Sequence, residues 1–326
     1  MIKTYTSAEL SNERYHSEEF PQASGSILAE ILETSPAEYI GRERKETAAM
    51  NDGTSAHCCI LEPKRFKETY VRGIDPADYP DALEGNKMLE AWLKERGVKC
   101  SGKTKAELLG MIDSTGETPQ ILQRVIDKHN AESADAGLSV VSPSSYDMII
   151  KMRSALKKGG YVFTPEMKME ISFIGERLKC RMDTIVPPGE MAPDGVISKN
   201  GEIWDYKTTL HVNPRKFATE AITRGYWLKM AIQSDLFEEE YGNPPDRVVL
   251  LAQSKKGNHY LPQAYSLDSQ QLEAGREDYR AALGMLDICK STNVWFGYGG
   301  GVIPLPTPGW AAYERGFEDT IEIIEE

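Results

Sequence analysis

No stretch of this sequence stays apolar for the length needed to cross a bilayer, and the opening segment MIKTYTSAELSNERYH carries no apolar signal run. Both absences argue against a membrane role and set the expectation of a cytoplasmic protein. Cysteine is scarce: Cys58, Cys59, Cys100, Cys180 and Cys289 are odd in number and lack metal-ligand spacing. This argues against a structural zinc site and points to reduced, partly buried thiols. Gly299-Gly300-Gly301 has no helix after it and lacks P-loop spacing, so it reads as a turn, not a phosphate cradle. Positive charge is also short, with 38 Lys and Arg against 50 Asp and Glu and a net charge of −12. Indiscriminate attachment to nucleic acid is disfavoured, because phosphate contact needs local cations. The shortage is uneven. Glu314, Glu318, Asp319, Glu322, Glu325 and Glu326 crowd the tail, while basic residues bunch at Lys94–Lys105, Lys151–Lys158 and Arg177–Arg181. A DNA path lined by such clusters is compatible with an acidic body.

What is present is ordinary in bulk: 326 residues, 40% hydrophobic and 27% charged, enough to bury a large core as one elaborated domain or two small ones. The informative stretch runs from Leu178 to Thr209. Leu178–Asp183 alternates like a strand, a Pro/Gly-rich excursion follows, and Glu202–Lys207 is a second extended run. The pair reads as adjacent antiparallel strands. Asp205 and Lys207 are two apart and share a face. If Asp183 meets them from the neighbouring strand, two hard carboxylates and one ammonium converge. That donor set suits Mg²⁺ or Mn²⁺, with the lysine placed to hold an attacking water. On its own, D-x-K is equally a solvated strand edge.

Along the chain, Ser24 or Ser26 caps a helix over 27–32, and a helix start with hydroxyls also suits a phosphate. Gly53-Thr54-Ser55-Ala56-His57 places a histidine in the first turns of a helix, as a packed core residue or a metal ligand. Residues 82–118 form a separate piece, helix over 87–96, connector, helix over 103–112. Its L-x-x-x-G-V-x-x-S-G-K-T-K-A-E-L-L pattern resembles SAP-like helix–extended loop–helix modules; a plain helical hairpin is the alternative. Helices are expected over 119–130, 143–158 and 267–290, and one long helix over 214–237. Strands are expected over 167–174, 248–252 and 259–266. Glu170, in the first of these strands, is either a third carboxylate of the site or a solvated strand residue.

Read together, ordered landmarks resemble the PD-(D/E)XK nuclease superfamily, and within it the RecE-type (exodeoxyribonuclease VIII-like) exonucleases of phages and prophages. They are Tyr15-His16, Ser24-Gly25-Ser26, Ser35-Pro36-Ala37-Glu38-Tyr39, Gly53–His57 with Leu61-Glu62-Pro63, Glu170, Cys180–Asp183 and Asp205–Thr209. Gly225-Tyr226, Gly275–Arg280, Trp295–Tyr298 and Pro308-Gly309-Trp310 complete the set. The resemblance implies an α/β fold, a restriction-endonuclease-like core with a central mixed sheet flanked by helices. The core would comprise 1–81 and 119–326, with 82–118 a small helical insertion.

It further implies that Asp183, Asp205, His57 and the Tyr206 carbonyl hold Mg²⁺ (Mn²⁺ substituting), that Lys207 orients the water, and that Glu170 is an acidic site residue. Ser24, Ser26, Arg181, Tyr226 and Lys229 are candidate substrate contacts. The implied activity is Mg²⁺-dependent, processive 5′→3′ digestion of one strand of a duplex DNA end, leaving 3′ tails for recombination. A homo-oligomeric ring and a single-strand annealing protein of the RecT or Bet kind are the implied partners. Three departures stand out. Met182 replaces the usual proline. Asp183 and Asp205 lie 22 positions apart, which makes Ala192-Pro193-Asp194 a competing match, although Asp194 sits among turn formers. Lys229 stands where a glutamine is usual, with Gln233 one turn on. An endonuclease or nickase on the same core, and a non-catalytic DNA-binding scaffold, remain the other two classes.

Overall fold

The computed structural model describes residues 2–43 and 48–307; the Pro308-Gly309-Trp310 landmark and the acidic tail lie outside the described residues. The strands are β1 (Lys3–Tyr5), β2 (Ala23–Ser24), β3 (Tyr70–Arg72), β4 (Ser139–Val141), β5 (Lys168–Ile174), β6 (Leu178–Val186), β7 (Glu202–Thr209), β8 (Arg247–Ser254) and β9 (Pro262–Ser266). The helices are α1 (Asn12–Tyr15), α2 (Gly25–Glu33), α3 (Pro36–Gly41), α4 (Ala48–Leu61), α5 (Pro63–Thr69), α6 (Gly85–Glu95), α7 (Lys105–Ser114), α8 (Leu122–Asp135), α9 (Pro143–Lys158), α10 (Pro214–Thr223), α11 (Tyr226–Tyr241) and α12 (Ser269–Thr292).

The central sheet is mixed, in the order β1-β5-β6-β7-β8-β9, with β2 added to β6. β7 and β8 are parallel, and the outer pairs β1–β5 and β8–β9 are antiparallel. Its two faces are covered differently. Leu28, Ile31, Met230, Ile232, Phe237, Ala282 and Leu286, from α2, α11 and α12, pack on one face over Met182, Ile203 and Leu250. Ile60, Met152 and Leu156, from α4 and α9, pack on the other over Trp204, Tyr206 and Leu251. The alternation of Ile203 and Trp204 between these cores is the period-two rule for a strand buried on both sides.

Residues 82–118 carry an apolar cluster of Leu89, Leu93, Cys100, Leu108 and Ile112, closed by Ile121 from outside that range. A Thr104–Glu107 capping box starts α7. Three of the segment's six cations are tied to its own carboxylates: Lys94 to Glu90 at 3.0 Å, Arg96 to Glu117 at 2.9 Å and Lys103 to Glu107 at 3.1 Å.

Two expectations need correction. The single helix over 214–237 is two helices, broken where Gly225 adopts φ 61°. A Cβ there would stand 2.7 Å from the Ala29 Cβ, so the break lets α2 approach closely. The strand expected from His259 begins only at Pro262, because Tyr260 takes φ 47° and ends the extended run.

Candidate active site

The β6–β7 ladder holds only three pairs, Thr184–Trp204, Ile185–Ile203 and Val186–Glu202. Asp183 and Asp205 are the residues that the next pair would use, and there the strands part. The Tyr206 amide, which ladder pairing would otherwise engage, donates to Asp183 Oδ2 at 2.8 Å. Into the fork comes β2, pairing parallel with Leu178 and Lys179. It delivers Ser24 and the start of α2. The long Asp183–Asp205 spacing is taken up by the 187–201 excursion at the closed end of the hairpin.

On the other side of β6, Ile171 pairs with Met182 and Met169 with Thr184, so Glu170 stands opposite Asp183. Three neighbouring strands thus present Glu170, Asp183 and Asp205 in one rank. Glu170 holds φ 53°, unusual for a side-chain-bearing residue in a strand and a mark of local strain. From α4, His57 Nδ1 lies 3.6 Å from Asp183 Oδ2 and 3.9 Å from Glu170 Oε1. Lys207 Nζ is in contact with Asp205 Oδ2 and 3.9 Å from Asp183 Oδ2. Gln233 of α11 reaches Asp205 Oδ1 at 3.5 Å.

The charges shape one another. Burial and the neighbouring Asp205 push Asp183 up to about 7. Burial lowers His57, but the Asp183 charge and the Glu170 hydrogen bond outweigh it and leave the imidazole raised. Lys207 is likewise raised: the two aspartates overcome its desolvation, so it stays an ammonium at neutral pH. Such a group offers a fixed positive charge and a hydrogen-bond donor.

The donor set fits a divalent cation. His57, Glu170 and Asp183 each offer a ligand atom, all within 4.8 Å of one another, as coordination of one ion requires. The buried Asp205 Oδ2 has only the Lys207 ammonium against it. Asp205 itself stands outside the three-residue cluster.

The remaining sequence-derived residues line a cleft of about 240 Å³ beside this rank. Ser24 is buried and its hydroxyl makes no cap to α2, while Ser26 is exposed at the rim. Gly25, between them, sits against Lys229: a Cβ there would meet the Lys229 Cγ at 3.0 Å. Lys229 donates to the Arg224 carbonyl at 2.8 Å, and burial together with Lys207 lowers its pKa. The Tyr226 ring lies between the two lysines, 5.6 Å from Lys207 Nζ and 5.5 Å from Lys229 Nζ. Arg181 is committed to Ser172 Oγ and the Leu10 carbonyl, so it builds the wall more than it reaches into the cleft. The Tyr206 ring turns to the opposite face, where its hydroxyl donates to Gln253 at 2.7 Å. Asp194, the competing aspartate, is held by Arg247 at 2.8 and 3.0 Å at the closed end of the hairpin.

Sequence reasoning missed Lys179, which is buried in the cleft wall and donates to the Tyr15 and Phe20 carbonyls at 2.6 Å each. The signal was its period-two spacing from Arg181.

No family model and no curated protein matches the chain. A crystal structure from Eubacterium rectale, described as a candidate exonuclease, is similar over 92% of this chain and 96% of that one, at 13% identity and a TM-score of 0.46. At that distance the likeness carries no argument about chemistry.

Proposed function

We propose that this chain is a metal-dependent deoxyribonuclease of the PD-(D/E)XK kind that degrades duplex DNA from an end, as RecE-type exonucleases do. The supporting observation is the rank of carboxylates at the β6–β7 fork, with Lys207 in contact with Asp205 and His57 above Asp183. Phosphodiester hydrolysis joins a water oxygen to phosphorus and breaks the bond to the leaving sugar oxygen, so negative charge grows on the phosphoryl oxygens and the leaving oxygen. Mg²⁺ or Mn²⁺, held by Asp183, Glu170 and His57 with Asp205 beside them, would supply Lewis-acid stabilisation of that charge. Lys207, kept protonated by its two aspartates, donates to the incoming hydroxide or a phosphoryl oxygen and holds it in place. Tyr226 and Gln233 fix Lys207 and Asp205 from α11, limiting their rotamers. Lys229 and the unspent Ser24 hydroxyl face the cleft where a strand terminus with its phosphate would enter. The 5′→3′ direction, processivity, a role in recombination by strand annealing, a ring of identical chains and a RecT- or Bet-like partner rest on the sequence resemblance alone.

The test is digestion of linear duplex labelled at either end, in Mg²⁺, beside covalently closed circles. The expected result is nucleotide release from linear DNA only, 5′ label first, abolished in Lys207→Ala and Asp205→Ala. Cutting of closed circles would assign an endonuclease instead, and binding without any cutting in Mg²⁺ or Mn²⁺ would assign a scaffold.

A further inference from the structure

The chain carries 50 carboxylates in 326 residues, yet none lies between Asp205 and Glu220, between Asp246 and Asp268, or between Asp147 and Glu166. The fold brings these three acid-free runs together. β7 and β8 are parallel and end side by side, Thr209 paired with Ser254. Beyond them the Lys255 amide donates to the Thr209 carbonyl at 2.8 Å, and the Tyr265 hydroxyl reaches the Val212 carbonyl. The Gln253 amide then binds the Met152 and Tyr260 carbonyls at 2.8 Å each, which ties α9 to the same corner. Gly159, at the end of α9, packs against Pro262.

The result is one connected surface displaying Arg215, Lys216, Lys256 and Lys158 as exposed cations and Lys255 half-exposed. No ion pair among the described residues engages Arg215, Lys216, Lys255 or Lys256, in contrast to Lys94, Arg96 and Lys103 of residues 82–118. Glu220 borders the surface but is occupied by Thr209 Oγ1 and Arg224. Lys207 lies two residues before the end of β7, roughly 7 Å along the strand, so the surface adjoins the carboxylate rank.

We propose that this surface is the docking face for the phosphate backbone of double-stranded DNA, a proposal that rests on the nuclease reading of the adjacent site. Unpaired cations on an acidic body mark where counterions would be displaced by phosphates. Duplex is favoured over single strand because no tyrosine, phenylalanine or tryptophan of the three runs is exposed, Tyr161 and Phe163 being half-buried. Tyr206 and Phe217 are buried, and Tyr260 and Tyr265 are half-buried, the latter with its hydroxyl spent.

The test uses the full chain without divalent metal, so that nothing is cut. Anisotropy of a fluorescein-labelled blunt duplex, and of one of its strands alone, is followed across a KCl series. Arg215→Gln/Lys216→Gln and Lys255→Gln/Lys256→Gln should each weaken duplex binding about three- to tenfold and flatten the salt slope by about two. Lys255→Arg/Lys256→Arg should keep the parental slope, and Lys103→Gln/Lys105→Gln in the insertion should change neither quantity. An unchanged slope in the first two variants, an equal or larger loss in the insertion variant, or a loss confined to single strand would overturn the proposal. So would displacement of polyglutamate but not of duplex, which would assign the surface to an acidic protein. Parallel digestion in Mg²⁺ separates the two readings. Salt-sensitive docking without cutting sinks the nuclease and spares the surface, whereas cutting with unaltered slopes does the reverse.

Discussion

The two ends of the β6–β7 hairpin use the same residue types to opposite purposes. At the closed end Glu202 is 1% exposed and fully satisfied, with Arg247 at 2.8 and 2.9 Å and the Trp204 indole at 2.7 Å. Arg247 also holds Asp194, and these bonds, working against burial, keep the Asp194 carboxyl below its ordinary range. At the fork end, three residues along β7 and roughly 10 Å away, Asp205 Oδ2 meets only Lys207, Glu170 sits in a left-handed backbone and Asp183 is raised to about 7. One end has spent its charge on stability. The other gathers three carboxylates around one ammonium and one imidazole, a crowding of like charge that marks candidate sites more often than structural ion pairs.

The contrast can be broken most sharply by removing Lys207 or Asp205. Either alanine substitution should lower Mg²⁺-dependent release of nucleotides by about 10³-fold, read as initial rate on protein shown to be folded by circular dichroism. The converse change is Arg247→Met, which strands Glu202 as a buried, unpaired charge. It should cost about 3–5 kcal/mol in urea unfolding, and Arg247→Met with Glu202→Leu should recover most of that loss. Next in size is the response to metal. Mg²⁺ at about a hundredfold above its dissociation constant should stabilise the parent by about 2.7 kcal/mol in a thermal melt, and Asp183→Asn should lose that response. The smallest expected effect is at Glu170. Glu170→Gly should relieve about 1 kcal/mol of backbone strain in metal-free protein while weakening metal-induced stabilisation. If that variant is instead less stable without metal, the φ of Glu170 is not strain held for the site.

Much of the site was legible because its elements obey short-range rules. The D-x-K spacing on an alternating strand put Asp205 and Lys207 on one face, and the Pro/Gly excursion marked β6 and β7 as a hairpin. What misled was equally local. The apolar pattern over 214–237 is continuous, and nothing in it says that Gly225 must turn left-handed to admit Ala29. Pairing is no more visible: Glu107 holds Lys103 within the basic connector and Glu117 holds Arg96 before it. Lys179 was overlooked because its period-two spacing from Arg181 marks only a shared strand face, while the two main-chain carbonyls of the Tyr15–Phe20 segment that satisfy it come from far away in the chain.

By itself the sequence determined the alternation of the strands, most helix positions, the hairpin that carries both aspartates and the chemical character of the donor set. Those follow from side-chain periodicity and turn chemistry, which act over a few residues. Only the tertiary structure decided that Glu170, Asp183 and Asp205 stand in one rank, that α4 lowers His57 onto it, that Asp194 belongs to Arg247, and that three acid-free runs meet at one corner. Each of these depends on register and on helix approach between segments far apart in the chain. Such contacts are set by how buried surfaces pack together, and no local window records that.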